Sequence, residues 1–558
     1  MAGGQNTEGD ANLSQPAPDR TLADFGPVEK PKRNRYVLAC ATLASMTSVL
    51  LGYENGVMSG ANIYLQDDLN ISDLQVALLV GTLNLYSLVG SAAAGRTSDW
   101  IGRRYTMVMA GAFFFVGSIL MGFATNYVFL MVGRFVAGVG GGYALMIAPV
   151  YTAEVSPAYS RGFLTSFQEV FNDAGILLGY LSNYAFSKFP TKLGWRFMLG
   201  IGAIPSVFLA LVVLGMPESP RWLGMKGRLG DARKVLDKTS DSKEESEKRL
   251  SEIKEAAGID PDCNDDVVKV QKQSHGKGVW KELLVDPTPF VRHILICGIG
   301  INFFEQASGI EVIVSYSPRI FEEAGITSSN GKLLATLAVG FTKTVFILVA
   351  TFLLERIGRR PLLLSSVGGM VLSLTTLGFG LTMIDQSDEK LPWAVALSIA
   401  MVLAYVSFFS IGMGPITSVY SSEIFPLRLR AQGKIMGVAV NRVTGEVIST
   451  TFLMLYGAIT MGGSFFVFAG IAAVAWVFFF VCLPETRTSE DMDVLYDSYI
   501  KWWSALKDKQ TDALHSFTLA KKFVIFTFVE GLLSPQNLVA HNGSSGYKLR
   551  IPNVVEHT

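Results

Sequence analysis

The chain is poor in charge. Only 17% of its 558 residues are Asp, Glu, Lys or Arg, against about 25% in an ordinary soluble protein. That deficit excludes a normal water-exposed surface over most of its length. The 47 basic and 47 acidic residues cancel, so there is no electrostatic footprint for nucleic acid. Cysteine is scarce too: Cys40, Cys263, Cys297 and Cys482 are scattered, which argues against a disulfide framework and matches no zinc spacing. No nucleophile–base set, metal cluster or phosphate loop stands out, so the sequence points away from an enzyme and implies no cofactor. The run GGGYALMI at 140–147 has no strand before it and reads as helix packing, not as a nucleotide fingerprint.

Apolar sequence takes the place of charge. Half of the residues are hydrophobic, with a mean hydropathy of +0.36. Stretches near the ~20 residues needed to cross a bilayer recur throughout. Spans are expected near 36–58, 76–95, 105–124, 128–150, 163–186, 195–216, 291–315, 332–354, 361–384, 392–417, 433–458 and 463–483. The fold class is thus all-α and membrane-embedded, with about twelve helices. Basic residues gather in alternate loops: Lys30 to Arg35, Arg96 to Arg104, Arg356 to Arg360, and Arg428 to Lys434. The positive-inside rule then places both termini in the cytoplasm.

The two halves are built alike. GRTSDWIGRR at 95–104 returns as LLERIGRRP at 353–361, APVYTAEVSP at 148–157 as SVYSSEIFP at 418–426, and PESPRWL at 217–223 as PETRTS at 484–489. Three ordered matches about 260 residues apart indicate duplication, and a duplicated membrane bundle is a common transporter architecture. The expected organisation is a flexible N-terminus (1–35), a six-helix bundle (36–216), a charged linker (217–290), a second six-helix bundle (291–484) and a tail (485–558). Within the linker, 243–258 is helical in composition. In the tail, 523–533 is apolar but too short to span.

These strings, with LLGYENGVMSGA at 50–61, GRFVAGVGGGYALMIAPVYTAEVSPAYSRG at 133–162, QASGIEVIVSYSP at 306–318 and GPITSVYSSEIFPLRLR at 414–430, resemble the sugar porter family of the major facilitator superfamily. Wording such as SPAYSRGFLTSF and LGWRFMLGIGAIPS is most similar to its plant polyol/monosaccharide branch. The resemblance implies two pseudo-symmetric six-helix bundles and proton-coupled uptake of linear polyols, cyclitols or monosaccharides. It implies the plasma membrane, with the vacuolar membrane as alternative. It also implies a monomer in a lipid bilayer, with the proton as coupling ion and no cofactor.

Three groups of residues follow. Acids and arginines alternate at helix ends on one face: Asp99, Arg103, Glu154, Arg161, Glu218 and Arg221 in the first half, Glu355, Arg359, Glu423, Arg430 and Glu485 in the second. Such charges can form networks that hold the halves together on the cytoplasmic side, and positive-inside arginines alone would not explain the recurring acids. Glu54 sits mid-span, where an ionisable group is a functional candidate by default, and Arg134 lies at membrane depth in the fourth span. The family carries an Asp at the first of these positions, paired with this Arg in proton-coupled members. Glu305, Gln306 and Glu311 in the seventh span stand where the family usually has Gln, Gln and Asn; Glu169 replaces a sugar-binding Gln. Lys343 replaces a common Asn, and is expected to pair with Glu311 or Glu305. Phe303, Phe304, Tyr316 and Tyr420 are candidate aromatic contacts for a bound ligand. Departures from the family pattern at Glu305, Ser418 (usually Trp) and Glu446 leave three alternatives open: an altered specificity, an uncoupled uniporter, and a sugar-sensing or inactive relative.

Overall fold

The computed structural model describes residues 34–157, 160–260, 287–387, 391–425 and 429–483, with isolated positions between 263 and 283. The expected N-terminal tail up to residue 33 and everything from 484 onward, Glu485 included, lie outside the described residues. Among those residues all regular structure is helical. Six helical segments make the first half: Arg35–Leu69, Asp73–Ile101, Arg103–Gly122, Tyr127–Val155, Arg161–Phe186 and Thr191–Leu214. Six make the second. Its seventh segment is Pro289–Ala307 joined to Ile310–Glu323, followed by Ser329–Ile357, Arg359–Asp385, Pro392–Phe408 continued to Glu423, and 430–482, which bends into the eleventh and twelfth segments. Nine helices are long and apolar enough to cross a membrane. The fifth and seventh segments are more polar, and they carry much of the candidate site described below.

Local chemistry sets the ends. Ser72 and Gln75 form a capping box at the second segment, and the Asn126 and Thr288 side chains accept from Phe129 N–H and Val291 N–H at the fourth and seventh; each satisfies donors a helix start would otherwise leave bare. The two Ile-Gly-Arg-Arg copies make the same joint. Gly102 (φ 100°, ψ 169°) links the second and third segments, and Gly358 (φ 93°, ψ 161°) links the eighth and ninth. This backbone region is essentially reserved for glycine, so the duplication is visible in dihedral angles as well as in sequence. The eleventh and twelfth segments part at Ile459 and Thr460, whose backbones leave the helix, where the sequence reading places a break.

Small residues let helices approach. A Cβ on Gly52 or Gly56 of the first segment would lie 1.9 or 2.4 Å from the carbonyl oxygens of Asn172 and Ile176 of the fifth. With no apolar–aqueous contrast inside lipid, such backbone-to-backbone packing is a main source of helix association. The halves themselves meet along the second with the eleventh segment, the fifth with the eighth, and the first with Ile310–Glu323.

The linker holds three short helices, Pro220–Met225, Leu229–Thr239 and Lys243–Ala257, the last in the stretch read as helical. Ser242 caps it and Gly258 ends it at φ 68°. Leu223, Leu229, Leu236 and Leu250 give the linker its own small core. Arg249 anchors it to the bundle, donating to the carbonyls of Glu154, Val155 and Ser156 at 3.2, 3.0 and 3.5 Å.

Candidate functional site

On the charged face, the second, third and fourth segments converge with the residues after the sixth. Arg103 donates through Nε and Nη2 to both oxygens of Glu154 (2.9 and 3.0 Å), and through Nη1 to Ser98 O and to Asp99 one turn away (3.2 Å). Glu218 accepts from the backbone N–H of Arg103, Arg104 and Ser219, so it closes the N-terminus of the third segment, where a carboxylate opposes the helix dipole. Burial still holds the Glu218 carboxyl above its ordinary range, although these N–H groups and Arg103 work against the shift. Ser219 Oγ donates to Glu154 at 2.5 Å.

In the second half Arg359 pairs with Glu423 at 3.0 Å, and Arg430 Nε donates to Phe425 O. Arg221 is exposed, while the side chains of Arg161 and Glu355 lie outside the described residues. The sequence reading took these charges to bind one half to the other. Between described residues, each ion pair on this face instead closes within a single half. The reason is proximity along the chain: each arginine opens a helix beside the end of an earlier or later one in the same bundle. The cross-half pair Arg319–Asp73 (3.3 Å) sits on the opposite face.

Glu54 and Arg134 do meet. Arg134 Nη1 lies 3.2 Å from Glu54 Oε2, and both side chains are 1% exposed. Ser118 Oγ donates to the other carboxylate oxygen at 3.4 Å. Arg134 also donates to the carbonyls of Leu79 (3.1 Å) and Val80 (3.5 Å) on the second segment. A buried charge pair is tolerable only with good geometry and added hydrogen bonds, and this one has both.

The central polar cluster lies between the halves. The seventh segment breaks at Ser308 and Gly309, whose φ of 92° opens the second helix piece. The break separates Glu305 and Gln306 from Glu311. Asn441 of the eleventh segment donates to Glu305 Oε2 at 2.8 Å, and its Oδ1 accepts from Gln306 at 3.2 Å. Asn84 of the second segment donates to Glu311 at 3.4 Å and accepts from Arg442 at 3.0 Å. Glu169 is half-buried, within Coulombic reach of Asp173, Lys343 and Arg442. Lys343 does not pair with Glu311 or Glu305 as expected. Its Nζ lies 2.7 Å from Asp173 Oδ1, a full helical turn beyond Glu169, because the eighth segment packs on the fifth rather than on the seventh.

The aromatic expectations divide. Phe303 is 42% exposed on the bundle's outside, and Phe304 packs against Phe478 and Phe479 of the twelfth segment; neither faces the cluster. Tyr316 donates to Ser449 O and its ring packs on Phe452. Tyr420 is buried. Ser418 is half-buried and bonds its own helix at Pro415 O. Glu446 accepts from Thr450, four residues along the eleventh segment.

Four residues of the cluster were not singled out from sequence: Asn84, Asp173, Asn441 and Arg442. Asp173 and Arg442 carried the same signal as Glu54, an ionisable side chain inside an apolar span. Four polar atoms of the cluster, Asn172 Oδ1, Gln306 Oε1, Arg442 Nε and Glu446 Oε2, are buried without a hydrogen-bond partner. A buried polar atom left unmatched costs about 1–3 kcal/mol, so the cluster is built to be completed by something with dense donors and acceptors.

Comparison with known proteins gives a consistent picture. The family model described as "Sugar (and other) transporter" matches residues 40–496. The chain is 67% identical to "Polyol transporter 5" of Arabidopsis thaliana, over 85% of this chain and 89% of that one. It is 64% identical to "Putative polyol transporter 1" of the same plant, over 84% and 92%. Among solved structures, it is similar to the proton:xylose symporter XylE bound to 6-bromo-6-deoxy-D-glucose, a major facilitator superfamily protein. That likeness has a TM-score of 0.68 and 25% identity over 83% of this chain and all of that one. A partially occluded inward-open form of XylE from E. coli, at 24% identity, has the same fold with a TM-score of 0.68.

Proposed function

The chain belongs to the sugar transporter family and has the major facilitator fold, and within that family we propose that it is a proton-coupled symporter of polyols, cyclitols or monosaccharides. It is an integral multi-pass membrane protein and a transporter, not an enzyme. In this reading both termini face the cytoplasm, the protein works as a monomer in the plasma membrane, and the halves rock about a central substrate site.

The observation that carries the substrate class is the set of unmatched polar atoms among Glu169, Glu305, Gln306, Glu311 and Arg442. A linear or cyclic polyol offers a hydroxyl at nearly every carbon, each both donor and acceptor, and so can satisfy several of them at once. Relatives named as polyol transporters support the same class.

Coupling rests on Glu54 and Arg134. Ionised, Glu54 is held by Arg134 in a dry site; protonated, it no longer needs the cation. A proton and a substrate that favour the same conformation help each other bind by the same factor. The available force suffices, at about 2.3 kcal/mol per charge per 100 mV and about 1.4 kcal/mol per pH unit. A neighbour titled as a proton:xylose symporter supports this reading. The test is uptake in proteoliposomes with an imposed pH gradient, using a panel of polyols and sugars. Wild type should accumulate substrate, and Glu54→Gln should exchange substrate across the membrane without accumulating it. Accumulation undiminished in Glu54→Gln would defeat the proton-site assignment. Exchange without accumulation in wild type would favour an uncoupled uniporter.

A further inference from the structure

The proton pair and the polar cluster are joined by one helix face. Arg134 of the fourth segment holds Glu54 and, on its other edge, the carbonyl oxygens of Leu79 and Val80. Val80 lies one helical turn before Asn84. The Asn84 side chain is buried at 4% exposure. Its amide nitrogen donates to Glu311 and its amide oxygen accepts from Arg442. A neutral side chain thus ties the second segment to two segments of the other half at once, using its donor on one and its acceptor on the other.

The packing leaves little slack. A Cβ on Gly445 would lie 3.4 Å from Asn84 Nδ2 and 3.3 Å from Gln306 Oε1, and a Cβ on Gly81 would meet Thr450 Oγ1 at 2.5 Å. The second and eleventh segments therefore interlock over a full turn on either side of Asn84. Glu446, opposite Gly81, and Arg442, opposite Asn84, are the charged groups that the eleventh segment turns toward this face. Glu311 is the one from the seventh.

We propose that Asn84 is the positioning residue that couples the Glu54–Arg134 pair to the substrate cluster, by linking the register of the second segment to Glu311 and Arg442. When Glu54 is neutralised, Arg134 is free to shift its hold on the Leu79 and Val80 carbonyls. The displacement reaches Asn84 through a rigid helix, and Asn84 moves a carboxylate and a guanidinium of the substrate site. A carbonyl hold at one end and a two-sided amide at the other form a contiguous physical connection, of the kind that can carry coupling between sites.

The inference rests on the proton-coupled reading, and the experiment separates the two. Counterflow exchange and pH-driven accumulation are measured side by side in proteoliposomes, for wild type and Asn84→Ala, with a substrate that wild type accumulates. The expected result is exchange within about twofold of wild type and accumulation lowered about tenfold, inside the usual range of coupling between sites. Accumulation unchanged in Asn84→Ala overturns the proposal. So does a parallel fall of exchange and accumulation, which would make Asn84 merely structural. If wild type itself never accumulates, it is the proton-coupled reading that fails. Should Asn84→Ala not fold, Asn84→Ser, which keeps a small polar group between the segments, is read by the same two measurements.

Discussion

Lys343 and Asp173 show how this interior tolerates charge. Their side chains are 10% and 4% exposed and 2.7 Å apart, and Thr344 Oγ1 donates to the Asp173 carbonyl beside them. Desolvation nearly offsets the attraction in such a pair, so its presence says little about net stability, but removing one partner leaves an uncompensated charge and costs about 3–5 kcal/mol. Lys343→Met should therefore lower the thermal midpoint of the detergent-solubilised protein sharply. Adding Asp173→Leu should restore most of it, and a double variant as unstable as the two losses combined would refute the pairing. At this scale the sequence was legible wherever an ionisable residue stood in an apolar run, since only a partner or a function keeps it there. Glu54, Arg134, Glu169 and Lys343 are of that kind. The partner was harder to read, because Lys343 has several acids within plausible reach and only the packing of the eighth segment on the fifth selects Asp173. Asn84 and Asn441 carried almost no signal, since a neutral amide in a span is commonplace and its importance depends on what lies across the interface.

The joints between helices repeat that lesson with backbone instead of charge. Gly102 does two things: it holds φ at 100°, and it leaves room for Glu218, whose Oε2 would lie 2.3 Å from a Cβ placed there. Gly102→Ala thus combines backbone strain of about 1–3 kcal/mol with a clash against the carboxylate that caps the third segment. The variant should unfold at clearly lower temperature in a fluorescence thermal scan. An unchanged midpoint would mean that the joint relaxes freely and that Glu218 is not a cap. Helix existence was readable throughout, because long apolar runs in lipid have few alternatives to a helix. Helix length was less so: the first segment runs to Leu69, beyond the expected end at 58, since its polar end (Gln66, Asp67, Asp68) stays helical until Asn70 turns it off at φ 49°. Hydropathy reports where lipid ends, and caps report where the helix ends.

For the molecule as a whole, the distribution of cross-half contacts matters more than their number. Duplication was legible from three repeated strings, and it fixes two similar bundles. Which contacts join the bundles could not be read, because symmetry-related charges pair equally well within a half or across it. Among the described residues, the pairs on the charged face stay within halves, whereas Arg319–Asp73 joins the seventh segment to the second on the other face, and Tyr180 Oη donates to Val314 O nearby. A molecule closed there and stapled only internally at the charged face must part along Asp73 and Arg319 if it is to expose its centre to the opposite side. The pair is partly exposed and worth under about 1 kcal/mol, so it can open and close readily, and a covalent link could not. With the four native cysteines changed to serine, Asp73→Cys and Arg319→Cys joined by a short bifunctional thiol reagent should stop counterflow exchange in proteoliposomes, while either single variant treated alike keeps it. Exchange that persists at full cross-linking would show that these segments do not separate during the cycle, and the rocking of one half against the other would have to be abandoned for movement confined within a bundle.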